Sequence, residues 1–228
     1  MTDSERWAAV AASVPTEARA QRERPFWREL VRSFGWRRIA DAGCGSGFHV
    51  SLLRGLGVEV VGFDVAIAVV RGGAASLVGD IQCPPLRAAA FDAVLCLGNT
   101  LSLLPSRSVQ RSAVAALALP LRGGGTLVVQ GEDVGRLVAG GPVVRTRTLA
   151  GSEVHLRVFE RAGRRVTMLA GVVTPGRESG LEGTLLLPTS SRTVVKMGRL
   201  AGLVPVPLPV APPGGGESWW TALSAPSP

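Results

Sequence analysis

A chain of 228 residues suits one domain with room for a small appendage, and its 46% apolar content excludes global disorder. Its formal charge of +8 comes from 25 basic and 17 acidic residues, and Lys196 is the sole lysine among them. The arginines are scattered, so the charge describes a solvated basic surface more readily than a nucleic-acid face. Cys44, Cys83 and Cys96, odd in number and far apart, exclude a disulfide framework and a zinc site, and the absence of tyrosine removes one common general acid or base. The longest apolar runs, such as Val65 to Val70, are too short to span a bilayer, and no charged-then-apolar leader opens the sequence. A cytoplasmic protein with no metal and no membrane partner is expected.

Residues 1–35 read as a helical cap: WAAVAASV, then QRERPFWRELVRSF with Phe26, Leu30, Val31 and Phe34 at helical spacing and Pro25 near a helix start. From residue 36 short apolar runs end in acidic or glycine residues. RRIAD (37–41) reads as a buried strand, DAGCGSG as a glycine loop and FHVSLLRGL as a helix. VEVVGFD (58–64) is a second strand, VAIAVVRG a short helix, ASLVGD (75–80) a weaker third strand and FDAVLCLGN (91–99) a fourth. A helix over SRSVQRSAVAALALPL leads to a fifth strand in GGGTLVVQGED (123–133). Strands alternating with helices predict a doubly wound, mostly parallel sheet covered on both faces.

Residues 142–187 change rhythm. VVRTRTL, SEVHLRVFE and RRVTMLAGVV alternate polar and apolar residues with turns between them, which predicts an inserted antiparallel meander, expected to cap the substrate. A helix over SSRTVVKMGRLAGL, an edge or irregular strand in VPVPLPV, a PPGGG turn and an antiparallel last strand in ESWWTALSA complete the chain.

In such a sheet ligands bind beyond the carboxyl ends of the strands, so the loop after the first strand is the candidate site. Phe48 stands where a dinucleotide fingerprint needs its third glycine, and the P-loop Gly-Lys-Ser/Thr is absent. What remains is acid-x-Gly-x-Gly-x-Gly with Asp41 at the strand end, an arrangement that repels phosphate and suits a cationic ligand.

DAGCGSG resembles motif I of the class I S-adenosylmethionine-dependent methyltransferases, and the later motifs follow in the same order. The resemblance spans residues 36–131 closely and the remainder by architecture. It implies a Rossmann-like methyltransferase domain over 36–228 and S-adenosylmethionine as cofactor. It places Asp41, Gly43, Cys44, Gly45 and Gly47 in the cofactor loop, Asp64 with Val65 at the ribose and Asp80 with Ile81 at the adenine. Leu97 and Gly98 would meet the methionine part through their backbone. LRGGGTLVVQ is similar to the fifth-strand motif with Gly in place of Pro. GFHVSLL and CLGNTLSLL look like the glycine/sarcosine-type small-molecule N-methyltransferases, which also insert a meander after strand five. TLLLPTS (184–190) lacks the arginine of that group's T-x-L-R-P-L, so amino-acid specificity does not carry over.

Asn99 is either a helix cap or a substrate-site residue. His49 reads as packing or capping, His155 as a face or a pocket residue of the meander, Trp219 and Trp220 as packing, and Cys96 as buried and inert. The resemblance brings an N-terminal arginine to the cofactor carboxylate, with Arg24 and Arg28 as candidates. The expected activity is in-line methyl transfer to a small-molecule acceptor, an amine nitrogen by preference, by a monomer or homodimer. The alternatives are a nucleic-acid (RNA) methyltransferase, which the missing [DNS]-P-P-[YF] after strand four counts against, and a non-catalytic methyltransferase-like subunit.

Overall fold

The computed structural model describes residues 17–66, 77–149, 153–176, 180–213 and 218–227. The helices expected over 7–14 and 65–72 and the glycine turn at 212–216 lie outside these residues except at their edges. The elements are α1 (Glu17–Phe34), β1 (Arg38–Ala42), α2 (Phe48–Arg54), β2 (Glu59–Asp64), β3 (Leu77–Val78), β4 (Phe91–Cys96) and a 3-10 turn (Thr100–Leu103). They continue with α3 (Arg107–Ala118), β5 (Leu121–Glu132), α4 (Val134–Leu137), β6 (Val143–Thr148), β7 (Val154–Ala162), β8 (Arg165–Val173) and β9 (Glu182–Leu186). The last are α5 (Ser191–Leu200), β10 (Val204–Val206) and β11 (Ser218–Ser224).

Seven strands form the main sheet in the order β10-β11-β5-β4-β1-β2-β3. The strands β3, β2, β1, β4 and β5 are parallel, while β11 runs antiparallel to β5 and β10 antiparallel to β11 at the edge. The central strands are buried on both faces, as a sheet covered by helices requires. Alternate residues serve opposite cores: Ile39, Ala93, Leu95 and Val128 pack with α1 and α2. Ala40, Val94, Leu127 and Val129 pack with α3 and α5. Successive connections reverse direction between β1 and β4, and that switch point sets the carboxyl end of β1 over a crevice.

Several boundaries differ from the sequence reading. Pro25 lies inside α1 and not at its start. The helix carries it because Phe26, Trp27 and Leu30 are buried under it, and this burial outweighs one missing backbone hydrogen bond. Strand four ends at Cys96, and Leu97–Asn99 form a turn. The meander has a fourth strand, β9, and forms a separate sheet in the order β6-β7-β8-β9. The glycine at position 183 and the short length of β9 masked its alternation. The short helix α4, capped by Asp133 accepting from Arg136 N, was also unforeseen. α3 and α5 begin at serine caps, Ser106 and Ser190, each accepting a backbone N–H three residues on.

The second sheet is tied to the first in three places. Phe159, Val166, Met168 and Leu186 form a small core with Val134 and Val138. Buried Gln110 of α3 donates to Leu101 O and to Thr189 Oγ1, each at 2.9 Å, and Leu187 N donates to Ser102 O. Glu132 makes the third tie, described below. Among the described residues no helix is long and apolar enough to cross a membrane.

At the opposite end of the sheet, buried Asp92 accepts from Arg37 N at 2.6 Å and Arg38 N at 2.9 Å and pairs with Arg122 at 2.7 Å. It joins the start of β1 to β4 and β5, far from the crevice. Asp92→Ala leaves two amide donors without their partner and is expected to cost about 2–3 kcal/mol. A urea midpoint lowered accordingly, with ligand binding at the crevice unchanged, is the outcome that checks this assignment.

Candidate functional site

β1 delivers Asp41 to the carboxyl edge of the sheet, where its side chain is 1% exposed. Oδ2 has no hydrogen-bond partner among the described residues. Burial pushes the carboxyl up, to about 6; the nearby Asp64 charge acts the same way, while His49 and Arg19 oppose it. A buried acceptor left without a donor costs free energy unless something cationic or hydrogen-donating arrives.

The loop that follows exposes backbone around this carboxylate. Gly43, Gly45 and Gly47 all have left-handed φ, 70°, 51° and 73°. At Gly43 a Cβ would stand 2.5 Å from Thr100 Cγ2, whereas at Gly45 nothing lies within 4 Å, so that face is open to a ligand. Gly43 N and Cys44 N both donate to Phe63 O, locking the loop onto β2. Asp64 holds the same loop, accepting from Gly45 N at 3.0 Å with Oδ2 and from Ala66 N at 2.9 Å with Oδ1. Asp80 accepts from both nitrogens of Gln82, which shapes the tight turn after β3.

A cleft of about 620 Å³ runs along these groups. Asp41, Gly43, Cys44, Gly45, Asp64, Val65, Asp80, Ile81, Leu97, Gly98 and Asn99 all line it. Gly47 does not: it is buried and serves as the turn into α2. Cys44 turns its thiol inward, where a Cβ on Gly62 would meet Sγ at 3.1 Å, and burial pushes the thiol upward. Cys44 therefore offers backbone only. The Cys96 thiol is buried and is pushed up to about 12.

The turn after β4 is held from within. Leu97 O accepts from Thr100 Oγ1 at 2.6 Å, and Gly98 N donates to Gln130 Oε1 at 2.8 Å. Those two backbone groups are thus engaged, and the turn presents its remaining surface to the cleft. Asn99 sits at φ 70° and makes no side-chain cap. Its Oδ1 instead accepts from Glu132 N at 2.6 Å, and its Nδ2 donates to Glu132 Oε2 at 3.3 Å. Arg145 of β6 and Arg157 of β7 meet the other oxygen of Glu132 at 3.2 and 3.5 Å. One carboxylate thereby joins the turn after β4 to the second sheet.

That sheet closes the cleft with His155, Arg157, Met168, Thr184 and Leu186. Its strand register explains the choice: His155, Arg157 and Phe159 alternate along one face of β7, and Phe159 lies opposite Met168. From α1 the cleft receives Arg19, not Arg24 or Arg28. Arg19 lies 4.0 Å over the Phe48 ring and pairs with Glu23 at 2.7 Å. Glu23 Oε2 is also 3.3 Å from His49 Nε2. Burial pushes the Glu23 carboxyl up, but the His49 hydrogen bond and the Arg19 charge outweigh it and bring the group to about 2. Arg19 carried no sequence signal, and His49 none beyond its place next to the loop.

A family model for a methyltransferase domain matches residues 40–129, which run from β1 to β5. The solved structure of the CcbJ methyltransferase from Streptomyces caelestis matches with a TM-score of 0.80 at 21% identity, covering 100% of this chain and 99% of that one. The chain carries a methyltransferase domain over residues 40–129. The chain is 28% identical over 153 residues to a glycine/sarcosine N-methyltransferase of Parasynechococcus marenigrum (strain WH8102). That match covers 62% of this chain and 53% of the relative, so the chain spans about half the length of the curated relatives it matches. CalS10, an amino pentose methyltransferase from Micromonospora echinaspora solved with S-adenosylmethionine bound, matches with a TM-score of 0.71 at 22% identity. That likeness covers 95% of this chain and 94% of CalS10.

The position of Asp41 has a consequence for stability. Its folded pKa is raised, so its contribution is fully present below the unfolded value of 3.8 and is lost as pH rises through about 6. Above that the empty protein carries a buried charge, at a cost of up to about 3 kcal/mol. Asp41→Asn is therefore expected to raise the melting temperature of the ligand-free protein at pH 8, with the gain shrinking towards zero near pH 4. Calorimetric melting of both proteins across this range reads the difference directly.

Proposed function

We propose that the protein transfers a methyl group from S-adenosylmethionine to an amine nitrogen of a small molecule by in-line displacement. The observation that carries this reading is the cleft itself: an acceptor-only carboxylate and open glycine backbone at one end, a second sheet at the other. The donor set fits the cofactor. The unpartnered Asp41 Oδ2 suits its ammonium group, Asp64 its ribose hydroxyls, and Asp80 with buried Ile81 its adenine. Asp64 keeps lone pairs beyond those used by Gly45 N and Ala66 N, so it can orient the loop and a ligand together. Arg19, which lines the same cleft, is the basic residue that suits the cofactor carboxylate.

When bound, the cofactor supplies an already activated methyl on a sulfonium. The chain's task is to align the nucleophile, exclude water and hold both partners still. The strands β6 to β9 act as the acceptor cap, anchored through Glu132 and the Phe159 cluster, and the helix α1 closes the other side. Likeness to glycine/sarcosine and amino pentose methyltransferases supports a small amine acceptor. Part of the arginine excess that raised a nucleic-acid acceptor is engaged within the protein. Arg19, Arg32, Arg38, Arg122, Arg145 and Arg157 pair with carboxylates, and Arg107 and Arg165 donate to the carbonyls of Pro188 and Pro105.

Isothermal calorimetry with S-adenosylmethionine tests the reading. Wild type is expected to bind, and Asp64→Ala to bind about 10- to 100-fold more weakly, the usual worth of a lost charged hydrogen bond. Affinity of the wild type is expected to fall about tenfold per pH unit below about 6, because Asp41 must ionise to take a cation. Transfer of radiolabelled methyl to small amines completes the test; a wild type that binds no cofactor sinks the proposal.

A further inference from the structure

Two buried polar atoms along the cleft have no partner among the described residues, Asp41 Oδ2 and His155 Nε2. The first belongs to the cofactor end. The second stands on the cap, and the proposed reaction needs a group of its kind. An amine reaches a neutral solution mostly as an ammonium ion, which has no lone pair. A proton must leave before nitrogen can attack carbon.

The other titratable groups of the cleft are committed. Asp64 and Asp80 are hydrogen-bonded by the loops they shape, and the Cys44 thiol is turned into the core. His49 is tied to Glu23, and Arg19 and Arg157 are permanent cations. The chain has no tyrosine, two histidines and a single lysine, Lys196, which is exposed on α5.

His155 is placed by the row to which it belongs. Phe159, fully buried, roots β7 in the cap core, and Arg157 grips Glu132. His155 is the next residue of that face. Across from it lie Arg147 on β6 and apolar Val172 on β8, and Glu153 two residues before it accepts from Thr174 Oγ1. Burial lowers the imidazole pKa below its ordinary value, and Arg157 and then Arg147 add to this, so the ring is neutral near pH 7. The same guanidinium groups disfavour an ammonium ion in this half of the cleft.

Resting on the methyl-transfer reading above, we propose that His155 is the acid–base residue that takes the proton from the acceptor amine. The N–H proton passes to the imidazole, and the freed lone pair forms the N–C bond as the methyl C–S bond breaks, its electrons remaining on sulfur. The methylated amine leaves as an ammonium ion, and the imidazolium, destabilised by the adjacent arginines, returns its proton to solvent.

The test measures kcat/KM against pH for wild type, His155→Asn and His155→Gly, using the amine that wild type methylates fastest among glycine, D-glucosamine and benzylamine. At pH 7 both variants are expected to lose about 10²- to 10³-fold in kcat/KM, the ordinary worth of a positioned base. Their affinity for S-adenosylmethionine, read by calorimetry, stays within about twofold of wild type. The deficit is expected to shrink towards pH 10, where the amine arrives deprotonated, and added imidazole is expected to restore His155→Gly in part. With two histidines in the chain, the NMR signal lost in His155→Asn identifies the ring, expected to titrate below 6.5. Wild-type rates in His155→Asn at pH 7 overturn the proposal, as does an equal loss at every pH without imidazole rescue. Cofactor binding with no methylation of these amines overturns the amine reading and this proposal with it, whereas absent cofactor binding overturns the methyl-transfer reading itself and, with it, the ground of this proposal.

Discussion

A carboxylate buried at the end of the central strand, with one oxygen left without a donor, is the constraint around which this protein is arranged. Asp41 reaches its position because β1 is flanked on both sides by parallel strands and shielded by helices on both faces. Water is largely excluded there, and low polarizability makes the unpaired charge costly. The surrounding glycine loop does not satisfy it: its amides turn to Phe63 O and to Asp64. The fold thus holds a vacant electrostatic need at a fixed place, where a cationic ligand gains more than it would in water. Stability given up in the empty protein becomes affinity and position in the loaded one, a trade common at functional sites.

The second organising contact is Glu132. Its strand, β5, is paired along its length with β4 and β11, so its carboxylate is rigidly presented at the sheet edge. From there it binds the Asn99 amide on one side and Arg145 and Arg157 on the other. The turn after β4 and the cap are therefore positioned by one group, which couples the sheet side of the cleft to the second sheet. Interior partners on several elements resist loosening better than a surface pair, because their geometry is already held by packing. The cap in turn contributes an imidazole, a guanidinium and an apolar floor to the cleft.

Much of this was legible in the chain. Asp41, Gly43, Gly45, Asp64 and Asp80 are local in sequence relative to the strand ends that present them, and strand-loop-helix periodicity marks those ends. Ser106 and Ser190 announce their helices for the same reason, since a cap acts on an amide three residues away. The residues that escaped notice act over distance. Arg19 enters the cleft because α1 packs beside α2 and lays the guanidinium over Phe48, and the helix continues through Pro25 because of what lies beneath it. Asn99, either a cap or a substrate-site residue in the linear pattern, has its amide occupied by Glu132, 33 residues on.

The sequence by itself determined the class of fold and the cradle after β1, because alternating apolar runs, glycine backbone freedom and strand-end acids are properties of neighbouring residues. Only the tertiary structure decided which arginine faces the cleft, that Gly47 turns a helix and touches no cleft surface, and that Cys44 lends backbone alone. It also decided the fate of His155, equally a face or a pocket residue in the linear pattern. Strand periodicity says that alternate side chains share a side, but which side is buried depends on a second sheet packing over the first. That packing is sealed by Phe159 and Glu132, and it turns an ordinary row of β7 side chains into a wall of the cleft.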